Sequence, residues 1–200
     1  MNHDITISPA QKSDADFIAT IVMGALGSEL CLGLAGSEDR LDVVHTLFRY
    51  LGAADHSQYS YTNTLIARSN GRAVGGIIAY DGARLHDLRK EFVHAANDIL
   101  GWQMTEEDFG NRGDETGPGE IYIDSLYVSP EYRGKGIASK LISNVALLKA
   151  TPDLPTIGLL VEFENERAKR LYESIGFKTV GVNNFFPVPM HHMQKIVNFS

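Results

Sequence analysis

One cysteine in 200 residues excludes an intrachain disulfide, and Cys31 stands apart from any His/Cys grouping with zinc spacing and from any base that would make it a nucleophile. A basic surplus is missing too. With 18 Lys and Arg against 25 Asp and Glu, the net charge of −7 argues against nonspecific nucleic-acid binding, which needs a basic face. The start of the chain has no basic cluster and carries Asp4 early, so no signal peptide is expected. Nor is an apolar run of bilayer length, which makes a cytoplasmic location the default expectation. His191 and His192 are adjacent, but neighbours on a strand point to opposite faces, so no metal site is expected. Repeats and low-complexity tracts are also absent. What is present, 44% hydrophobic residues over 200 positions, is enough to bury the core of a single domain spanning 1–200.

The most informative stretch is Tyr127 to Ala138, Y-V-S-P-E-Y-R-G-K-G-I-A, which ends a strand, turns, and opens a helix predicted from Gly136 to Leu148. Gly134 and Gly136 bring no side chains, so an anion can approach the amides, and the first helical turn leaves N–H groups unpaired. The helix dipole, Arg133 and Lys135 add positive potential, and successive amides curling around a ligand suit a pyrophosphate. Neither common phosphate motif fits. A P-loop needs glycine where Ser129 stands and Ser or Thr where Gly136 stands, and the dinucleotide fingerprint fails at Ser139.

A second segment follows the β-rich run 156–163. In N-E-R-A-K-R-L-Y-E-S-I-G-F, Asn165 to Phe177, the residues Asn165, Ala168, Leu171 and Tyr172 recur at helical spacing, and Gly176 stops the helix. Asn165 either caps the backbone or bonds a ligand amide, and Tyr172 presents a hydroxyl two turns along the same face. The R-x-x-G-x-A of Arg133 to Ala138 resembles the coenzyme A pyrophosphate loop of the GCN5-related N-acetyltransferases (GNAT). The N-x-x-A-x-x-L-Y-x-x-x-G-F pattern is similar to the helix that flanks the pantetheine arm in that family.

The resemblance implies an α/β fold, a mixed, mostly antiparallel central sheet flanked by helices, in which the fourth and fifth strands splay apart to admit the pantetheine arm. The elements read along the chain agree. Helices carrying Phe17 to Leu26 and Leu41 to Leu51 are followed by a hairpin, 62–68 and 72–80, turning at Ser69-Asn70-Gly71. Gly75-Gly76 marks a bulge or a close backbone contact. Residues 81–119 form an insertion before the fourth strand, with a helix from Leu85 to Leu100 and then an acidic, glycine-rich loop. Trp102, Met104, Glu106, Glu107 and Asp108 are candidates for an acceptor-side wall, weakly favouring a cationic amine.

The family likeness further implies acetyl-CoA as cosubstrate, held by Leu126, Tyr127, Val128, Arg133, Gly134, Lys135, Gly136, Ile137, Ala138, Asn165 and Tyr172, and no metal. The reaction expected is direct attack of a primary amine on the thioester in a ternary complex. Asp124, a charge in the otherwise apolar segment 121–128, is the first candidate base. Glu162 comes next, then Glu120 and Glu164. Tyr172 is the candidate acid toward the thiolate, with an ordinary phenol pKa near 10, and the amide of Val128 or a neighbour the oxyanion donor. The acceptor, a small molecule or a peptide or protein amine, stays open, as do a homodimer and a catalytically inactive acetyl-CoA-binding or interaction domain.

Overall fold

The computed structural model describes residues 4–111, 113–185 and 188–199. Alternating apolar residues in the first third build three antiparallel strands, β1 (Ile5–Pro9), β2 (Thr64–Ser69) and β3 (Arg72–Asp81), with β2 and β3 joined by the Asn70-Gly71 turn. The register between β2 and β3 shifts beside Gly75, and a Cβ on Gly76 would lie 2.2 Å from Ile21 Cδ1. Both readings of the glycine pair therefore hold: there is a bulge, and a helix presses on bare backbone.

That helix is α1 (Ala15–Ala35). By length and composition the stretch Lys12–Ala35 is apolar enough to cross a membrane, which corrects the expectation that no run reaches that length. Here it serves as a core element, with Ile18, Ile21 and Val22 fully buried, and it packs on β3, on β4 (Ile121–Val128) and on α2 (Leu41–Ala53). α1 also runs past Leu26, where the sequence pattern loses its apolar face. Gly27, at φ 80° and ψ 169°, leaves the helical region, and a second helical segment continues to Ala35. Only glycine adopts that conformation without strain, so the break is written into the sequence at this residue.

α2 (Leu41–Ala53) and α3 (Leu85–Leu100) complete the layer on this face, followed by the short α4 (Glu106–Gly110). β4 (Ile121–Val128) leads through the Arg133–Gly136 loop into α5 (Ile137–Lys149), and then come β5 (Thr156–Glu162), α6 (Glu166–Ser174), β6 (Lys178–Phe185) and β7 (Val188–Ile196). The seven strands run in the order β1-β2-β3-β4-β5-β7-β6. β4 and β5 are the parallel pair, and the other neighbours are antiparallel, so the sheet is mixed and mostly antiparallel as expected.

Alternation along the strands divides the core in two. Ile66 and Ile78 join α1, α2 and α3 on one face, while Leu65, Ala67 and Ile77 join Leu141, Ile142 and Val145 of α5 on the other. The feature that positions the site is how briefly β4 and β5 pair. Only Ile121, Tyr122 and Ile123 face Ile157, Gly158 and Leu159; beyond them the two strands part.

Candidate active site

The gap between β4 and β5 opens next to Asp124, and β4 has a fault there. Ile78 of β3 pairs with Ser125 and Ala79 with Ile123, so Asp124 has no opposite number and forms a β-bulge. Ile121 and Ile123 face the α5 side of the sheet before the bulge, and Leu126 and Val128 face it after. The sequence carries this signal, since its apolar alternation slips by one residue at Asp124. A regular strand would have kept every side chain in step.

Asp124 lines a cavity of about 280 Å³ together with Tyr59, Ser125, Leu160, Glu162, Asn165 and Tyr172. Its Oδ2 accepts from Tyr80 Oη at 3.1 Å and from Gln58 Nε2 at 3.3 Å, and its Oδ1 accepts from Ser125 Oγ at 2.8 Å. These partners are neutral. Burial raises the carboxyl pKa to about 6, and the negative Glu115 pushes the same way against the three hydrogen bonds. A carboxylate held there is a base poised close to neutral pH.

Tyr172, on α6, packs against Phe177 with ring centroids 5.8 Å apart, and burial pushes its phenol up to about 12. The ordinary phenol value expected from sequence is therefore corrected upward. Against a thiol near 8.5, such a phenol keeps its proton and acts as a hydrogen-bond donor to a thiolate. Asn165 caps α6, its Oδ1 accepting from Ala168 N–H at 3.1 Å, while the residue borders the cavity. Glu162 also lines the cavity but is solvent-exposed. Glu120 does not reach it. Its buried carboxylate takes hydrogen bonds from Thr116 Oγ1 and Gln194 Nε2 and pairs with His192 Nε2 at 2.9 Å, and Glu164 lies exposed outside the lining. Those two lesser base candidates are set aside. His191 diverges from His192 and packs on Phe163 at 4.5 Å.

A second cavity, of about 520 Å³, adjoins the first through Gly24, Leu126, Asn165, Ala168 and Tyr172. Its walls include Tyr127, Val128, Arg133, Gly134, Gly136, Ile137, Ala138 and Ser139. Gly134 and Gly136 sit at φ 75° and 74°, and a Cβ on either would meet nothing within 4 Å, so bare backbone faces open space ahead of α5. Arg133 Nε donates to the Val128 carbonyl at 2.9 Å and staples the loop, and Lys135 Nζ lies 4.6 Å from the Tyr132 ring centre, outside the lining. Arg167 of α6 was not singled out from sequence and borders this cavity. One exposed basic residue on a helix carries no local signal. An anion bound to the α5 amides would meet the helix dipole and this guanidinium together.

A third cavity, of about 290 Å³, shares Leu26, Leu30 and Tyr59 with the central one and lies among α1, α2 and α3. Sequence reading offered Trp102 for an acceptor-side wall, and the residue lines this cavity. The acidic cluster is elsewhere: Asp108 closes a capping box with Thr105, and Glu106 lies 3.5 Å from His94. Gln58, Tyr59 and Arg89 line the cavities from segments roughly 30 to 60 residues before β4, which no local pattern reveals, and Glu115 joins them from the loop that leads into β4.

Residues 37–177 match the family described as Acetyltransferase (GNAT) family. The chain belongs to this family. Over 56 residues it is 43% identical to the thialysine N-epsilon-acetyltransferase of Bos taurus, a match covering 28% of this chain and 33% of that protein. The chain thus spans about a third of the length of that curated relative. A crystal structure described as an acetyltransferase superposes with a TM-score of 0.71 at 25% identity, covering 96% of this GNAT chain and 100% of the other. The paia N-acetyltransferase of Thermoplasma acidophilum, solved in complex with coenzyme A, shares the fold at a TM-score of 0.56 and 14% identity, with 96% and 99% covered. The insertion 81–119 lies inside the matched range of this GNAT chain, and its α3 helps to wall the third cavity.

Proposed function

We propose that the protein transfers an acetyl group from acetyl-CoA to a primary amine by direct attack within a ternary complex. The observation that carries this reading is one of continuity. The cavity at the α5 N-terminus runs into the gap between β4 and β5, and Asp124 and Tyr172 border that gap together.

The diphosphate of coenzyme A would lie on the amides following Gly134 and Gly136, beside Arg133 and Arg167. Lys135 contributes charge from the rim. The pantetheine arm would run along Leu126, Tyr127 and Val128, whose backbone pairs with Ile77, Gly76 and Gly75 on one side and, among the described residues, with no strand on the other. It takes the place of an added strand. That Bos taurus and Thermoplasma relatives are named N-acetyltransferases, one with coenzyme A bound, supports this assignment.

The amine nitrogen attacks the thioester carbonyl carbon, and the oxyanion that forms is stabilised by the Val128 amide or a neighbour. Asp124 takes the ammonium proton. The C–S bond then breaks, and Tyr172 donates a hydrogen bond to the departing thiolate, which is protonated from solvent. Holding the two reactants in line supplies much of the rate without a covalent enzyme intermediate. Calorimetric titration with acetyl-CoA, with 3′-dephospho-CoA and ATP as controls, tests the donor. Saturable binding near one per chain supports the reading, and a folded protein that binds none refutes it.

A further inference from the structure

We propose that the acceptor is a small primary amine carried on an aryl-sized apolar group, and that this group seats in the third cavity, among α1, α2 and α3. The inference rests on the acetyl-transfer reading above and specifies its acceptor.

The wall is aromatic and aliphatic: Leu26, Leu30, Phe48, Phe92, Trp102 and Phe109. Phe92 sits at the centre of the ring cluster, edge-on to Trp102 at 6.0 Å and to Phe109 at 5.4 Å and stacked with Phe48 at 6.4 Å. An aryl guest extends that packing, because rings favour edge-to-face neighbours. Volume sets the size. At about 290 Å³ the cavity is nearly twice the ~150 Å³ of an apolar cavity that takes one benzene, leaving room for a ring and a short linker or for a fused bicycle.

Charge argues the same way. Among the described lining residues the charged groups are Arg89 and Glu115, and they pair with each other, while Arg89 Nη1 also bonds Asp114 at 3.0 Å. Within this cavity no carboxylate among the described residues is left over to hold the second ammonium of a polyamine, and the exposed Glu106 and Glu107 lie outside the lining. The join with the central cavity at Leu26, Leu30 and Tyr59 directs the guest's nitrogen to Asp124. Gln58 stands at this junction, 4% exposed, with its Nε2 on Asp124 and its Oε1 unpartnered among the described residues. It offers an acceptor for the amine N–H.

The test uses the full chain. Trp102 is the one tryptophan, so its fluorescence reports directly on the cavity. Titrating 2-phenylethylamine and 3-phenylpropylamine should give a saturable change, and spermidine and L-lysine should give none. In thiol-release assays with saturating acetyl-CoA, burying a phenyl group should place kcat/KM for the best arylalkylamine at least about 30-fold above spermidine. Gly33 lines the cavity from α1, and a Cβ there meets nothing within 4 Å. Gly33→Leu should cut kcat/KM for the arylalkylamine at least about tenfold by narrowing the cavity, with acetyl-CoA affinity unchanged. Should that variant not fold, the wild-type fluorescence titration decides. Acetyl-CoA binding with spermidine or lysine preferred, or with no Trp102 response to arylalkylamines, overturns the acceptor proposal alone. Absence of acetyl-CoA binding overturns the donor reading and this proposal with it.

Discussion

Replacing Asp124 by Asn removes a charge that the fold accommodates at a cost, so activity and stability should move in opposite directions. With the folded carboxyl at about 6 and an unfolded one near 3.9, the difference of about two units corresponds to about 3 kcal/mol. The folded pKa is raised, so this group's contribution to stability is complete below about pH 4 and is lost as pH rises through about 6. Asp124→Asn should therefore be more stable than the parent by about 1 to 3 kcal/mol at pH 8 and about equal to it at pH 4. The lower end allows for the new amide, whose N–H groups require the Ser125 hydroxyl to turn round and accept. Urea denaturation at the two pH values measures this directly. In the same variant kcat should fall by about 10² to 10⁴, and the rising limb near pH 6 in kcat/KM should disappear. Equal destabilisation at both pH values would refute the buried-base argument, and an unchanged limb would move the base to Glu162 or to water.

Tyr172→Phe should lower kcat by about tenfold or more with little change in acetyl-CoA affinity, since a hydrogen bond to the thiolate is lost and the ring remains; equal losses in both would break that division. Gly136→Val should abolish acetyl-CoA binding in calorimetry, through a Cβ at the anion's approach and through a strained positive φ. Gly24→Ala places a methyl 2.3 Å from the Tyr127 ring, at a point bordering both donor-side cavities, so acetyl-CoA affinity should fall while the fold survives. Arg89→Leu strands the Glu115 carboxylate, 6% exposed, and should cost about 3 to 5 kcal/mol in denaturation at pH 8.

How far the sequence could be read depended on how locally each feature is encoded. The Arg133 to Ala138 loop and the Asn165 cap lie within single turns of chain, so residue types alone located them. The helix Leu85–Leu100 carried its apolar face at regular spacing and was equally plain. Asp124 was legible as an anomaly, a charge in an apolar strand, but its elevated pKa depends first on burial and then on Glu115, both supplied by the fold. Glu120 was a lesser base candidate just before the same strand, yet its partners His192 and Gln194 lie more than 70 residues away and take it out of the site. The third cavity was invisible for the same reason, since α1, α2, α3 and the loop after it each contribute part of a wall. The second half of α1 was lost because Gly27 ends one helical phase and begins another.

The short pairing of β4 with β5 has a mechanical meaning as well. Strands β1 to β4 form one plate and β5, β7 and β6 another, and the seam between them is three residue pairs long. A donor bound in the gap as proposed would act as a clasp across that seam. At a hundred times its dissociation constant it would add about 2.7 kcal/mol of cohesion, enough to slow a protease by close to a hundredfold where opening is the limiting population. The acetyl donor would then govern how long each molecule lasts as well as how fast it turns over, and the idle molecule would be the one that is cleared.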